Sequence, residues 1–93
     1  MKVIIRAEAA DDLAGIFAWI AKDKPAAAVA LLRRIRERIG RLETPGLAHM
    51  GRPGRVDGTR ELVEAPYIIV YEVYEDRDEL VVLAVFHGAQ NRM

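Results

Sequence analysis

The chain has 93 residues, is 52 % hydrophobic and carries formal charges that sum to zero. A domain of this length buries only about 60–65 % of the surface its unfolded chain would expose, so a partner can readily supply part of its stability. The neutral balance gives no global pull toward nucleic acid or membrane.

Cysteine and serine are absent, leaving Thr44, Thr59 and the tyrosines as hydroxyls and His49 and His87 as imidazoles. Disulfides, thiolate ligands, a cysteine nucleophile and Ser–His–Asp chemistry are thereby excluded, and a histidine-rich zinc site has too few ligands. No metal and no cofactor is expected. A reducing cytoplasm suits this composition, and the apolar run in "MKVIIRAEAADDL" is too short for a signal segment or a membrane span, so a cytoplasmic protein is expected.

In chain order, "KVIIR" (2–6) is β-branched and bracketed by charge, which predicts a short strand. From Glu8 to Ala21 the period changes: Leu13, Ile16, Phe17 and Ile20 share one helical face, and Glu8, Asp11 and Asp12 are expected to put negative charge in the first turn. "KDKP" breaks this helix, and Pro25 suits the first position of a second one. There Ala28, Leu31, Leu32, Ile35, Ile39 and Leu42 fall on one face. Residues 44–59, "TPGLAHMGRPGRVDGT", hold four glycines and two prolines and read as a long loop. Three strand-like runs follow, Arg60–Glu64, Tyr67–Tyr74 and Leu80–His87, with turns at Pro66 and "EDRDE".

The order β-α-α-β-β-β predicts a single α+β domain over residues 1–93, with a helical hairpin packed on one face of a small antiparallel sheet. The last two strands are apolar on both faces, whereas two helices cover only one. Ile68, Val70, Val81, Leu83 and Val85 are placed on the second face. A binding partner is expected over it, the long loop or a second copy being the alternative.

Two basic clusters stand out. Arg34, Arg38 and Arg41 recur at i, i+4 and i+7, flanked by Arg33 and Arg36. The stripe fits a solvated helix face with arginine stems lying along apolar neighbours, the alternative being a landing strip for an acidic partner or phosphate. "GRPGR" (51–55) with Arg60 forms the second cluster, without phosphate-loop spacing, so it reads as an anion site or as a turn that positions Arg60. His87, before Gly88, is either a strand terminus or a base. Glu61 and Glu64 alternate to opposite faces of one strand and do not form a carboxylate pair, which leaves them as surface or salt-bridge residues.

The succession "DDLAGIFAWIAKDKPAAAVALLRRI", "GRPGRVDGTRELVEAPYIIVYEV" and "VVLAVFHGAQNR" resembles the RelE/ParE superfamily of toxins from type II toxin–antitoxin, or plasmid stabilisation, modules. The resemblance spans nearly the whole chain. It implies a helical hairpin on an antiparallel sheet and an antitoxin whose C-terminal segment wraps the toxin. On this chain the antitoxin-binding candidates are Leu13, Phe17, Trp19 and Leu32 of the hairpin, Arg34 and Arg38, and the sheet residues Ile68, Val70, Val81, Leu83 and Val85.

RelE-like members cut mRNA on the ribosome with a basic cluster, whereas ParE-like members poison DNA gyrase. This chain departs from the RelE pattern: Ile68 and Gln90 stand where basic residues are expected, Thr59 and Glu61 replace a lysine pair, and no tyrosine follows Gly88. The resemblance therefore implies a ParE-like, non-enzymatic toxin with no catalytic residues, acting on DNA gyrase and neutralised by a ParD-like antitoxin. Such a toxin–antitoxin hetero-oligomer touches DNA only through the antitoxin. The alternative is a ribosome-dependent endoribonuclease with a diverged basic site. Target-binding candidates are Arg52, Arg55, Arg60, His87, Gln90 and Arg92.

Overall fold

The computed structural model of the chain describes residues 1–89. Its elements are Lys2–Ile5 (β1), Ala7–Ala21 (α1), Pro25–Arg41 (α2), Arg52–Pro53 (β2), Arg60–Glu64 (β3), Tyr67–Tyr74 (β4) and Glu79–His87 (β5), with a single 3-10 turn at Glu75–Arg77. The helical hairpin and the three late strands lie where the hydrophobic periods place them. The expected loop 44–59 contributes an additional two-residue strand, β2.

All five strands form one sheet in the order β1-β5-β4-β3-β2. The sheet is mixed, which corrects the antiparallel expectation: β1 pairs with β5 in parallel, Val3 opposite Leu80 and Ile5 opposite Val82. Parallel neighbours need a long crossover, and here nearly the whole chain provides it.

Both helices pack on one face of this sheet. Leu13 of α1 and Leu31, Ile35 and Ile39 of α2 join Leu62, Ile69, Tyr71, Leu80 and Val82 in one buried cluster.

A β-bulge changes the face assignment within β5. Pairing steps from Val70 opposite Ala84 to Tyr71 opposite Val82, so Leu83 has no opposite residue on β4. Alternation is reset at that point. Val85, expected on the second face, instead faces the helices and is only 1 % exposed within the core. Val70, Val81 and Leu83 are half-buried, and Ile68, paired with Phe86, is 7 % exposed.

The start of α1 also differs from expectation. Of the three acids, only Glu8 lies in the first turn, and Arg6 at the N-cap makes no side-chain capping bond. Glu8 accepts a hydrogen bond from its own backbone amide and lies 3.1 Å from Arg6 Nε, which together hold its carboxyl below the usual carboxylate range. A depressed folded-state pKa gives stability that is present above the unfolded value and lost as pH falls through the folded one. Glu8→Gln is therefore expected to flatten the acid side of the stability curve, read from thermal melts at about pH 7 and about pH 3. Parent and variant losing the same stability over that window would contradict the assignment.

Candidate functional site

The polar candidates divide between two ends of the sheet. At one end, β2 and β3 set Arg52 opposite Glu61. The Glu61 carboxylate is only 6 % exposed. It accepts from Arg52 Nη2 at 3.1 Å and Nε at 3.3 Å, and from the Arg55 backbone amide at 3.3 Å. Glu61 is thus a buried anchor rather than a surface residue. It draws the "GRPGR" segment onto the sheet and neutralises one of its cations.

Arg60, on the opposite face from Glu61, donates Nη1 to the carbonyls of Gly51 at 2.8 Å and His49 at 3.1 Å. The Gly51 amide donates to the Tyr71 hydroxyl at 2.9 Å. Glycine is required there: a Cβ would stand 2.7 Å from both the Glu61 carbonyl oxygen and that hydroxyl. The glycine-rich loop is therefore clamped backbone, held by Arg60 and Tyr71.

At the other end, Tyr67 lies opposite both Glu64 and His87. The His87 and Tyr67 rings meet edge to face at 5.3 Å, and His87 Nδ1 accepts the Ala89 amide at 3.0 Å. Arg60 and Glu64 are four residues apart on β3, so His87 lies about 13 Å along the strand direction from the Arg60 level. The structure does not gather Arg52, Arg55, Arg60 and His87 into one cluster. Gln90 and Arg92 lie outside the described residues.

The arginine stripe of α2 is partly intramolecular. Arg34 and Arg38 approach Glu64 at 3.8 and 3.7 Å, and Arg38 Nη2 donates to the Val63 carbonyl at 3.2 Å. They fasten α2 to β3. Arg36 is directed elsewhere, into an apolar groove of about 440 Å³ that Leu13, Phe17, Leu32 and Ile5 line between α1, α2 and the end of β1. Trp19 is on the other side of α1, 73 % exposed.

Asp12 has a role that periodicity does not reveal. β1 stops pairing with β5 at Val82, and beyond it the Val85 amide donates to Asp12 Oδ2 at 3.0 Å. A helix side chain thus continues the ladder where the strand has ended. Asp12→Ala is expected to cost about 1–3 kcal/mol and to speed amide exchange at Val85, because a charged acceptor is removed from that amide. Unchanged exchange at Val85 would contradict this role.

The family described as ParE toxin of type II toxin-antitoxin system, parDE, matches residues 3–92. The chain belongs to the ParE toxin family. It is 44 % identical over 78 residues to the toxin candidate Y4kP of Sinorhizobium fredii, covering 81 % of this chain and 75 % of that protein.

Among solved structures, the chromosomal ParDE toxin–antitoxin system of P. aeruginosa matches with a TM-score of 0.82 at 26 % identity, covering 94 % of this chain and 95 % of that one. The RelBE2 toxin–antitoxin complex of Mycobacterium tuberculosis matches with a TM-score of 0.62 at 23 % identity, covering 96 % and 92 %, and shares the fold. The RelE/ParE resemblance, closer to ParE, is thus established. This ParE-family toxin keeps the helical hairpin on a sheet.

Proposed function

We propose that this toxin acts without catalysis, through protein–protein contact with DNA gyrase, and that a cognate ParD-like antitoxin neutralises it. The observation that carries the reading is the engagement of its basic residues. Metal-free phosphodiester cleavage needs a base, an acid and cations aimed at the phosphorane. Here Arg60 is bound to two loop carbonyls and Arg52 to buried Glu61, while buried Ile68 stands where a nuclease of the superfamily would carry a cation. Family membership supports the same reading.

The antitoxin reading is supported by the similar structure from P. aeruginosa, described as a ParDE system, and by the apolar groove beside Phe17 and Leu32. Contact with DNA would then run through the antitoxin of the hetero-oligomer. The site of action is the cytoplasm. None of the described helices is long and apolar enough to cross a membrane.

The test is expression without antitoxin, followed by an SOS reporter and by pulse labelling of new protein. The expected result is an early SOS response that precedes any loss of translation. Prompt translation arrest with cleaved transcripts and a silent reporter would overturn the gyrase reading in favour of a ribonuclease.

A further inference from the structure

On the side of α1 away from the apolar groove lies a second groove, about 500 Å³, between that helix and the ends of β4 and β5. Asp11, Asp12, Ile16, Trp19, Phe86 and His87 line it. Its charge is opposite to that of the first groove. Among the described residues this lining has two carboxylates and no lysine or arginine, whereas the first has Arg36 and no acid.

Asp11 makes no hydrogen bond or ion pair with the described residues, in contrast to Asp12, whose Oδ2 holds the Val85 amide. On α1, Asp11, Gly15 and Trp19 are spaced i, i+4 and i+8 and share one stripe. Gly15, with nothing within 4 Å of where a Cβ would stand, leaves a notch between carboxylate and indole. Trp19 is 73 % exposed, although burial of so large an apolar surface is ordinarily favoured and tryptophan is enriched at the energetic centres of interfaces. Lys22 approaches the indole, its Nζ 5.6 Å from the ring centroid, so a second cation is not favoured at that end of the groove.

We infer that this groove docks a protein segment presenting an arginine next to apolar residues. The guanidinium would pair with Asp11, and an apolar neighbour would cover Trp19. Arginine fits because its planar fork can bind a carboxylate in two places while its stem lies across the Gly15 notch. A phosphate-rich partner does not fit, because the two carboxylates repel it. The inference rests on neither the gyrase nor the antitoxin reading; it moves Trp19, an antitoxin-binding candidate by sequence, to a groove separate from that of Phe17 and Leu32.

Trp19 is the only tryptophan, so its emission reports this groove directly. The experiment titrates the full chain with the synthetic peptide acetyl-Leu-Arg-Leu-Leu-amide, and in parallel with the same peptide carrying citrulline or glutamate in place of arginine. The inference expects a saturable emission change with the arginine peptide. The affinity should fall about tenfold with the citrulline peptide and about tenfold in Asp11→Asn, a conservative change at an exposed position, with circular dichroism unaltered.

Five results would overturn it. One is no response to the arginine peptide at millimolar concentration; another is equal binding of all three peptides, and a third is no effect of Asp11→Asn. The fourth is tighter peptide binding after deletion of residues 90–93, which would make the chain's own end the occupant. The last is an emission change on dilution without peptide, which would make it a second copy.

Discussion

Truncating Tyr71 to alanine is expected to cost about 3–5 kcal/mol, the cost of removing a core aromatic, from a domain whose total stability is about 5–14 kcal/mol at ordinary values per residue. Tyr71 has no exposed surface and packs at the centre of the sheet's helix-facing side. Its hydroxyl also accepts the Gly51 amide. Tyr71→Phe isolates that second contribution. It keeps the ring but leaves a buried N–H without a partner, expected at about 1–3 kcal/mol. At roughly 4–8 °C per kcal/mol for a domain of this size, both losses are readable in a thermal melt. The phenylalanine variant should also free the loop at Gly51 to exchange faster while the strands stay protected. If Tyr71→Phe melts with the parent, the hydroxyl does not hold the loop. If it melts with Tyr71→Ala, the ring's packing has been overvalued.

The second large effect concerns the apolar groove between the helices. Phe17 and Leu32 are half-buried there, so each retains surface to offer a partner without being essential to the core. A cation introduced into this docked apolar interface, which Arg36 already lines, is left without water or a counter-ion. If an antitoxin segment occupies the groove, Phe17→Lys and Leu32→Lys should each weaken its binding at least about a hundredfold, or roughly 3 kcal/mol. The isolated toxin's melting temperature should fall by only a few degrees. Calorimetric titration with the cognate antitoxin checks this. Parent-like affinity in both variants would remove the groove from the antitoxin interface.

Much of the architecture was legible because each helix carries its own apolar stripe and Pro25 and "KDKP" mark the hairpin. Three features were not, and each depends on a contact distant in sequence. β1 pairs in parallel with β5, a partner nearly the whole chain away, which local pattern cannot specify. The bulge at Leu83 sits in a run apolar on both faces, where alternation gives no register, so Val85 was assigned to the wrong side. Glu61 reads as a surface or salt-bridge residue, but neither its burial nor its partner is visible until β2 brings Arg52 against it.

The candidate site was less legible than the fold. "GRPGR" and Arg60 were visible as basic, but their engagement with Glu61 and with loop carbonyls follows only from pairing of the loop with β3. The i, i+4 spacing of Arg34 and Arg38 was visible, though their common acid, Glu64, comes from β3. Asp12 lay within the acidic start of α1, and nothing in its spacing indicates an amide 73 residues away.

The most direct test of a non-catalytic, gyrase-directed toxin is supercoiling by purified gyrase on relaxed plasmid with increasing amounts of the purified chain, with and without equimolar antitoxin. Inhibition that rises with toxin and is relieved by antitoxin is the expected result, with mRNA left intact in a parallel ribosome assay. Unimpaired supercoiling alongside toxin-dependent cleavage of ribosome-bound mRNA would contradict the account.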